Sequence, residues 1–187
     1  VLINGASGGV GSFAVQIAKA LGAEVTGVTS TGNVDLVRSL GADHVIDYKR
    51  EDFTTGEQRY DLIFDNVENR SVSDCRRALT PDGTLVLNSG TGARGLKMLV
   101  RLAQPFVLSP FVRHDLRRYL SHPNRADLTF LTGLVEEGRL RPVIDTAYAL
   151  GDVPAALRQI EAGHVRGKVV VTVAEADARE KDLTQSA

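Results

Sequence analysis

The amino-acid sequence predicts an α/β protein, a doubly wound parallel β-sheet flanked by helices, and three observations carry the prediction. A short apolar segment, Val1-Leu2-Ile3-Asn4, runs into a glycine-rich turn, Gly5-Ala6-Ser7-Gly8-Gly9-Val10-Gly11, and then into an apolar-periodic stretch over residues 12–21. Short β-rich segments then alternate with helical patterns through residue 88, the rhythm of parallel strands with helices on both faces. Near the end, residues 168–173 (KVVVTV) form a β-branched run without gaps, as expected of a central or well-covered strand.

The opening unit is strand, glycine turn, helix, the context of a Rossmann-type dinucleotide site. Glycine at position 8 allows the backbone close to a diphosphate, and Gly11 allows the new helix to pack tightly on the strand. The helix N-terminus then offers unpaired N–H groups and the positive end of a dipole. One departure is visible: Ala6 stands where the G-x-G-x-x-G pattern has its first glycine.

The following elements are read in order. Residues 24–29 form a strand on Val25 and Val28, and residues 33–40 a helix stopped by Gly41. Residues 44–47 form a strand, 51–56 a short helix or turn, and 60–66 a buried strand. A helix over 69–79 places Val72, Cys75 and Leu79 on its apolar side. Thr80-Pro81-Asp82-Gly83 reads as a turn, since proline presets φ and glycine accepts positive φ, and residues 84–88 as the next strand. The pattern loosens from Thr91, with a helix over 96–103, an extended piece over 105–110, and a helix over 125–138 striped by Leu128, Leu131, Leu134 and Val135. Val143-Ile144 is extended, and Asp152 is the N-cap of a helix carrying Val153, Leu157 and Ile160 that Gly163 ends. Residues 1–174 thus read as one domain and 175–187, rich in charge and small residues, as a disordered tail. The chain begins in mid-strand without an initiator Met, which predicts a piece of a longer protein.

Composition narrows the function classes. With 187 residues, 43% hydrophobic and 24% charged, the chain can bury a sizeable core. A net charge of −1 with interspersed signs favours neither nucleic acid nor an anionic membrane as partner. The single cysteine, Cys75, fits a reducing compartment and a place in the core, and with no signal peptide or membrane-length apolar run a cytoplasmic protein is expected. His44, His114, His122 and His164 are scattered, so no metal site is expected, and the basic segment 113–118 reads as a solvated face.

Gly8-Gly9-Val10-Gly11 ahead of Gln16-Ile17-Ala18-Lys19, then Leu40-Gly41-Ala42-Asp43-His44-Val45-Ile46-Asp47-Tyr48, then Asp65-Asn66-Val67, and finally Glu161-Ala162-Gly163-His164-Val165-Arg166-Gly167-Lys168-Val169-Val170 follow one another in this chain. Together they resemble the medium-chain dehydrogenase/reductase superfamily, in its zinc-independent quinone oxidoreductase-like branch, over residues 1–173. The resemblance implies the NAD(P)-binding portion of an oxidoreductase that moves a hydride between a nicotinamide cofactor and a quinone, enone, carbonyl or alcohol. It also implies an N-terminal GroES-like catalytic domain absent from this chain, and a homodimer formed through the extended segment at 106–111.

The phosphate cradle is expected at Ala6, Ser7, Gly8, Gly9, Val10 and Gly11. The end of the second strand, Thr29-Ser30-Thr31-Gly32-Asn33, holds no carboxylate before Asp35. Ser30, Thr31 and Asn33 tolerate a 2′-phosphate that a carboxylate would repel, so NADPH is favoured over NADH. By resemblance, Tyr48 lies beside that phosphate, with Lys49, Arg50 and Arg38 as candidate charges. Asn66 and Val67 contact the nicotinamide ribose, followed by Glu68 where a glycine is usual. Ser89 and Gly90 occupy the next strand end, Phe106 and Leu108 belong to the segment that holds the carboxamide, and Lys168 lies near the phosphates. No catalytic acid or base stands out. The alternatives are a stand-alone dinucleotide-binding or sensing module, and an S-adenosylmethionine-dependent methyltransferase, against which the missing acidic residue after the second strand counts.

Overall fold

The computed structural model describes residues 1–88, 113–119, 122–163 and 165–173. The chain forms two compact units, Val1–Arg141 and Pro142–Ala187.

In the first unit the elements are β1 (Leu2–Asn4), α1 (Gly11–Ala20), β2 (Thr26–Thr29), a 3₁₀ turn (Thr31–Asn33) leading into α2 (Val34–Ser39), and β3 (His44–Asp47). There follow β4 (Tyr60–Asp65), α3 (Val72–Arg77), β5 (Leu79–Leu87), β6 (Asp115–Arg118) and α4 (Arg125–Glu136). The six strands form one sheet in the order β3-β2-β1-β4-β5-β6, every neighbouring pair parallel. This is the expected doubly wound sheet. The chain walks outward from β1 to β3, then restarts on the other side of β1 at β4. Loops leaving β1 and β4 therefore diverge, and a crevice opens at their carboxyl ends.

The strands read as apolar runs because the sheet is covered. Leu2, Val28, Ile63 and Leu85 are each at most 1% exposed and share one core cluster. Each such side chain contributes about 2 kcal/mol by leaving water. Cys75 belongs to the same cluster, where burial foremost, and then the charge of Asp65, push its thiol up to about 12. Helix ends follow local chemistry: Ser71 Oγ accepts the Asp74 N–H at 3.1 Å, and Asn124 Oδ1 accepts that of Asp127 at 2.9 Å. Gly41, at φ +100°, follows α2 as expected.

Several expectations change. The helix at 69–79 is shorter, because Leu79 already pairs with Tyr60 as the start of β5. The turn at 80–83 is an irregularity inside β5: Leu79 opposes Tyr60, yet Thr84 opposes Leu62, and the intervening residues bulge outward. A bulge accepts proline, which has no N–H to offer the ladder. Segment 113–118 is not wholly a solvated face, since β6 buries Leu116 and Arg118. Of the α4 stripe, Leu134 is buried whereas Leu128 is 60% and Val135 49% exposed. The expected elements at 96–103 and 105–110, and the tail at 175–187, lie outside the described residues.

The second unit contains β7 (Ile144–Ala149), α5 (Val153–Glu161) and β8 (Lys168–Thr172). Its two strands pair in parallel across the helical crossover. Among the described residues β8 pairs with β7 alone and is half-exposed, not central. Asp152 precedes α5 but its side chain makes no cap, and Pro154 occupies the first turn, where its missing N–H costs nothing. Gln159 ties the unit together, accepting from the Tyr148 hydroxyl and donating to Asp145, each at 2.9 Å. No described helix is long and apolar enough to cross a membrane.

Two measurements check this account. A Cβ on Gly11 would lie 2.1 Å from the Gly5 carbonyl oxygen, whereas one on Gly22 (φ +83°) meets nothing within 4 Å. Gly11→Ala is expected to lower stability in urea unfolding by about 3 kcal/mol, and Gly22→Ala by about 1 kcal/mol from backbone strain alone. Cys75 should resist a thiol reagent such as DTNB in the folded protein and react once it is unfolded, a thiolate being the reactive form.

Candidate functional site

All six strands of the sheet end on one edge, and the polar residues that close them form the candidate site. β1 ends on Asn4, β2 on Thr29, β3 on Asp47, β4 on Asp65, and β5 passes into Asn88.

The glycine turn is built by close approach. Gly5, at φ +80°, turns the chain, and its N–H and that of Ala6 are both donated to the Val28 carbonyl, at 3.1 and 3.0 Å. Ala6 is fully buried over Gly27 of β2, so the alanine in place of the pattern's first glycine fills a packed position, while Gly5 supplies the positive φ. Gly8 donates to the Gly5 carbonyl at 3.1 Å, which curls the loop, and Gly9 and Val10 lead into α1. Val10 is half exposed and offers no side-chain cap, and at the start of α1 the Ser12 N–H is donated to the Gly8 carbonyl and the Ala14 N–H to the Val10 carbonyl, each at 3.0 Å.

At the end of β2 a ring of hydroxyls and an amide faces the loop. Ser7 Oγ accepts from Thr29 Oγ1 at 2.8 Å and from Asn33 Nδ2 at 3.2 Å, and Asn33 Nδ2 also reaches Ser30 Oγ at 3.2 Å. Because Ser7 accepts from both neighbours, its own hydrogen remains to donate to an anion. Sequence reading missed Asp47. The register of β3 on β2 brings its carboxylate to Thr31, whose hydroxyl donates to it at 2.7 Å. The Thr31 hydroxyl foremost, then the Lys49 N–H and the Arg50 and Lys49 charges, hold the Asp47 carboxyl below its usual value. Arg50 Nε lies 3.7 Å from it, and Arg38 is engaged with Asp35 at 3.4 Å. Tyr48 is 48% exposed, its N–H donated to the Thr29 carbonyl.

Across the crevice the end of β4 is organised by one carboxylate. Asp65 is fully buried, and its Oδ1 accepts from Asn4 Nδ2 (2.8 Å), the Val67 N–H (3.0 Å) and the Glu68 N–H (2.8 Å). Asn66 donates its backbone and side-chain N–H groups to the Asn4 carbonyl and accepts from Asn88 Nδ2 at 2.8 Å. Val67 sits against the glycine turn, its Cγ2 2.8 Å from where a Cβ on Gly5 would stand.

Glu68 holds the conformation that its sequence position puts in question. Among the described residues it is the one non-glycine with positive φ, +53°. Such backbone costs about 1–3 kcal/mol and persists where its surroundings impose it. Here they include Arg118, whose two terminal nitrogens meet the two carboxylate oxygens at 3.0 and 3.1 Å. Both side chains are less than a tenth exposed. A cavity of about 250 Å³ beside the pair is lined by Asn69, Arg70, Ser71, Val72 and Leu87 as well.

The structure therefore brings Ala6–Gly11, Ser30, Thr31, Asn33, Asn66 and Val67 to one edge of the sheet, with Tyr48 just beyond β3. Lys168 opens β8 in the second unit, its N–H donated to the Val143 carbonyl at 2.8 Å. Ser89, Gly90, Phe106 and Leu108 lie outside the described residues. Asn4, Asp65 and Asn88 carried a legible signal, each being the polar residue that closes an apolar strand. Asp47 and Arg118 did not, because their roles depend on partners in other strands. Among the described residues no three His, Cys, Asp or Glu side chains are grouped to hold a metal ion.

The family profile for zinc-binding dehydrogenase matches residues 40–171. The mitochondrial NAD(P)H oxidoreductase RTN4IP1 of Drosophila melanogaster is 34% identical over 188 residues, covering 94% of this chain and 46% of that protein. Trans-enoyl reductase pgmF of Aspergillus terreus is 34% identical over 192 residues, with 94% and 52% covered. The solved quinone oxidoreductase of Coxiella burnetii superposes with a TM-score of 0.75 at 28% identity, covering 92% of this chain and 52% of that one. A solved NAD-dependent alcohol dehydrogenase gives a TM-score of 0.76 at 25% identity, with 92% and 50% covered. The chain spans about half the length of the curated relatives it matches.

The Asp47 contact yields a pH test. A carboxyl with a lowered folded pKa stabilises the fold above its unfolded value, about 3.9, and loses that contribution as pH falls through the folded value. Thr31→Val should raise the Asp47 midpoint in an NMR titration. It should also lower stability at neutral pH, a deficit that closes as the solution is acidified below the folded midpoint.

Proposed function

The chain belongs to the zinc-binding dehydrogenase family, within the medium-chain dehydrogenase/reductase superfamily, and on that premise we propose that it is the NADPH-binding portion of an oxidoreductase. The observation that carries this reading is the glycine turn at the sheet's switch point, with a ring of hydroxyls on one side and the Asp65-ordered turn on the other. It supplies backbone N–H groups for a diphosphate and a neutral polar seat for an adenosine ribose, while the β4 end serves the second mononucleotide. When bound, the nicotinamide supplies the hydride chemistry. The residues of this chain bind and orient: Gly8 and Gly9 admit the diphosphate, Ser7 donates to an anionic oxygen, and Asn66 and Val67 form the wall opposite.

Preference for the phosphorylated cofactor rests on the β2 end. Ser7, Ser30 and Asn33 present hydroxyl and amide groups there, and the Asp47 carboxylate is engaged by Thr31 and the Lys49 N–H. The named activities of the relatives suggest quinone, enone, carbonyl or alcohol substrates for the whole protein. The family's name carries zinc, but the described residues offer no donor set for it, and Cys75 is buried with a raised thiol pKa. A homodimer and a cytoplasmic setting belong to the same proposal, the latter supported by the lone free cysteine.

Calorimetry of the 187-residue chain with NADPH, NADH and S-adenosylmethionine tests the reading. NADPH should bind most tightly, and Ser7→Ala should weaken it about tenfold through loss of a charged hydrogen bond. Equal binding of NADH would retract the phosphate argument, and S-adenosylmethionine binding alone would overturn the function.

A further inference from the structure

We propose that the buried Glu68–Arg118 ion pair is a positioning device: it holds a non-glycine residue in a left-handed conformation and thereby orients Asn66 and Val67 toward the second mononucleotide. The inference rests on the dinucleotide reading above. Its observations concern this chain alone. Glu68 takes φ +53°, its N–H is fixed by Asp65 Oδ1 at 2.8 Å, and its carboxylate is gripped by both terminal nitrogens of Arg118. Arg118 comes from the end of β6, two strands away across β5. One pair thus ties the β4 turn to the far side of the sheet.

The consequence is directional. Val67, which immediately precedes Glu68, packs on the Gly5 turn, and Asn66 spans from the Asn4 carbonyl to Asn88. With α3 held in the core by Val72 and Cys75, a change of Glu68 to negative φ would have to be taken up by the turn before it, drawing the Val67 and Glu68 N–H groups off Asp65 Oδ1 and disordering the wall of the crevice at β4. Affinity for a ligand touching that wall would fall by the cost of ordering it again. The adenosine half, seated at the glycine turn and the β2 end, would be spared. Glu68 and Arg118 are positioning residues in this account and touch no reacting atom.

Two substitutions separate backbone positioning from the mere presence of a buried charge pair. Glu68→Ala and Glu68→Gly both deprive Arg118 of the carboxylate, but only glycine adopts positive φ without steric cost. Binding of NADPH and of 2′,5′-ADP, a probe of the adenosine half, is measured for each variant in the full chain. Glu68→Ala and Arg118→Met should each weaken NADPH about tenfold with 2′,5′-ADP unchanged, and Glu68→Gly should stay within about threefold of the parent. Amide exchange at Val67 and Glu68, which needs no ligand, should quicken about tenfold in Glu68→Ala and Arg118→Met and remain slower in Glu68→Gly. Equal losses in Glu68→Ala and Glu68→Gly, or equal losses on both probes, would overturn the proposal. If the parent chain binds neither probe, the dinucleotide reading fails, and unaltered amide exchange in Glu68→Ala would overturn the positioning role independently.

Discussion

The candidate site depends on the contact between Gly11 at the start of α1 and the carbonyl of Gly5 at the end of β1. A single methyl group on Gly11 would penetrate that carbonyl and the Cα of Ala6, both backbone. The helix can therefore begin directly over the strand end, which sets its N-terminus and the positive end of its dipole at the crevice. The positive φ of Gly5 is the other half of this constraint, because it turns the chain within a few residues while its N–H remains on the Val28 carbonyl. With the loop so short and so tied, Ser7 falls within hydrogen-bonding reach of both Thr29 and Asn33.

On the other side of β1 the same edge is ordered by charge. Asp65, fully buried, gathers one side-chain amide and two backbone N–H groups on a single oxygen, Oδ1, while its Oδ2 is buried with no hydrogen-bond partner among the described residues. Glu68 and Arg118 repeat the arrangement as a bidentate pair removed from water. Burying such a pair is a weak source of stability, because the desolvation of both ions offsets most of their attraction. What the pair does supply is a defined geometry for a strained backbone, and in a parallel sheet a strand end is where geometry meets ligand.

Much of the fold was legible. Residues 44–47 match β3, the span of α1 differs by one residue at each end, and the alternation of strands with helices led to the parallel sheet. These features are local: side-chain periodicity reports which face is buried, and glycine reports where backbone must pass closely or turn. Of the candidate site, Ser7 was read from the glycine turn, Ser30 and Asn33 from the end of the second strand, and Asn66 from the resemblance at a strand end; the structure sets all four at one edge of the sheet. The bulge in β5 escaped because Pro81 and Gly83 signal a turn with equal force whether the strand stops or merely kinks; the pairing of Leu79 with Tyr60 decides it.

By itself, then, the sequence determined the glycine turn, the alternation of strands and helices through residue 88, and polar residues such as Asn4 and Asn88 at strand ends, since all of these follow from neighbours within a few positions. Tertiary structure decided what those polar residues meet. Asp47 becomes the partner of Thr31 only through the register of β3 on β2, and Arg118, read as one member of a basic run, becomes the buried counter-charge of Glu68 across fifty residues of chain. It also divided the chain after Arg141, setting the β8 run in a two-stranded sheet of the second unit. The physical reason is common to all three: residue type sets the strength of an ion pair or a hydrogen bond, but strand register sets whether the two groups ever come within reach.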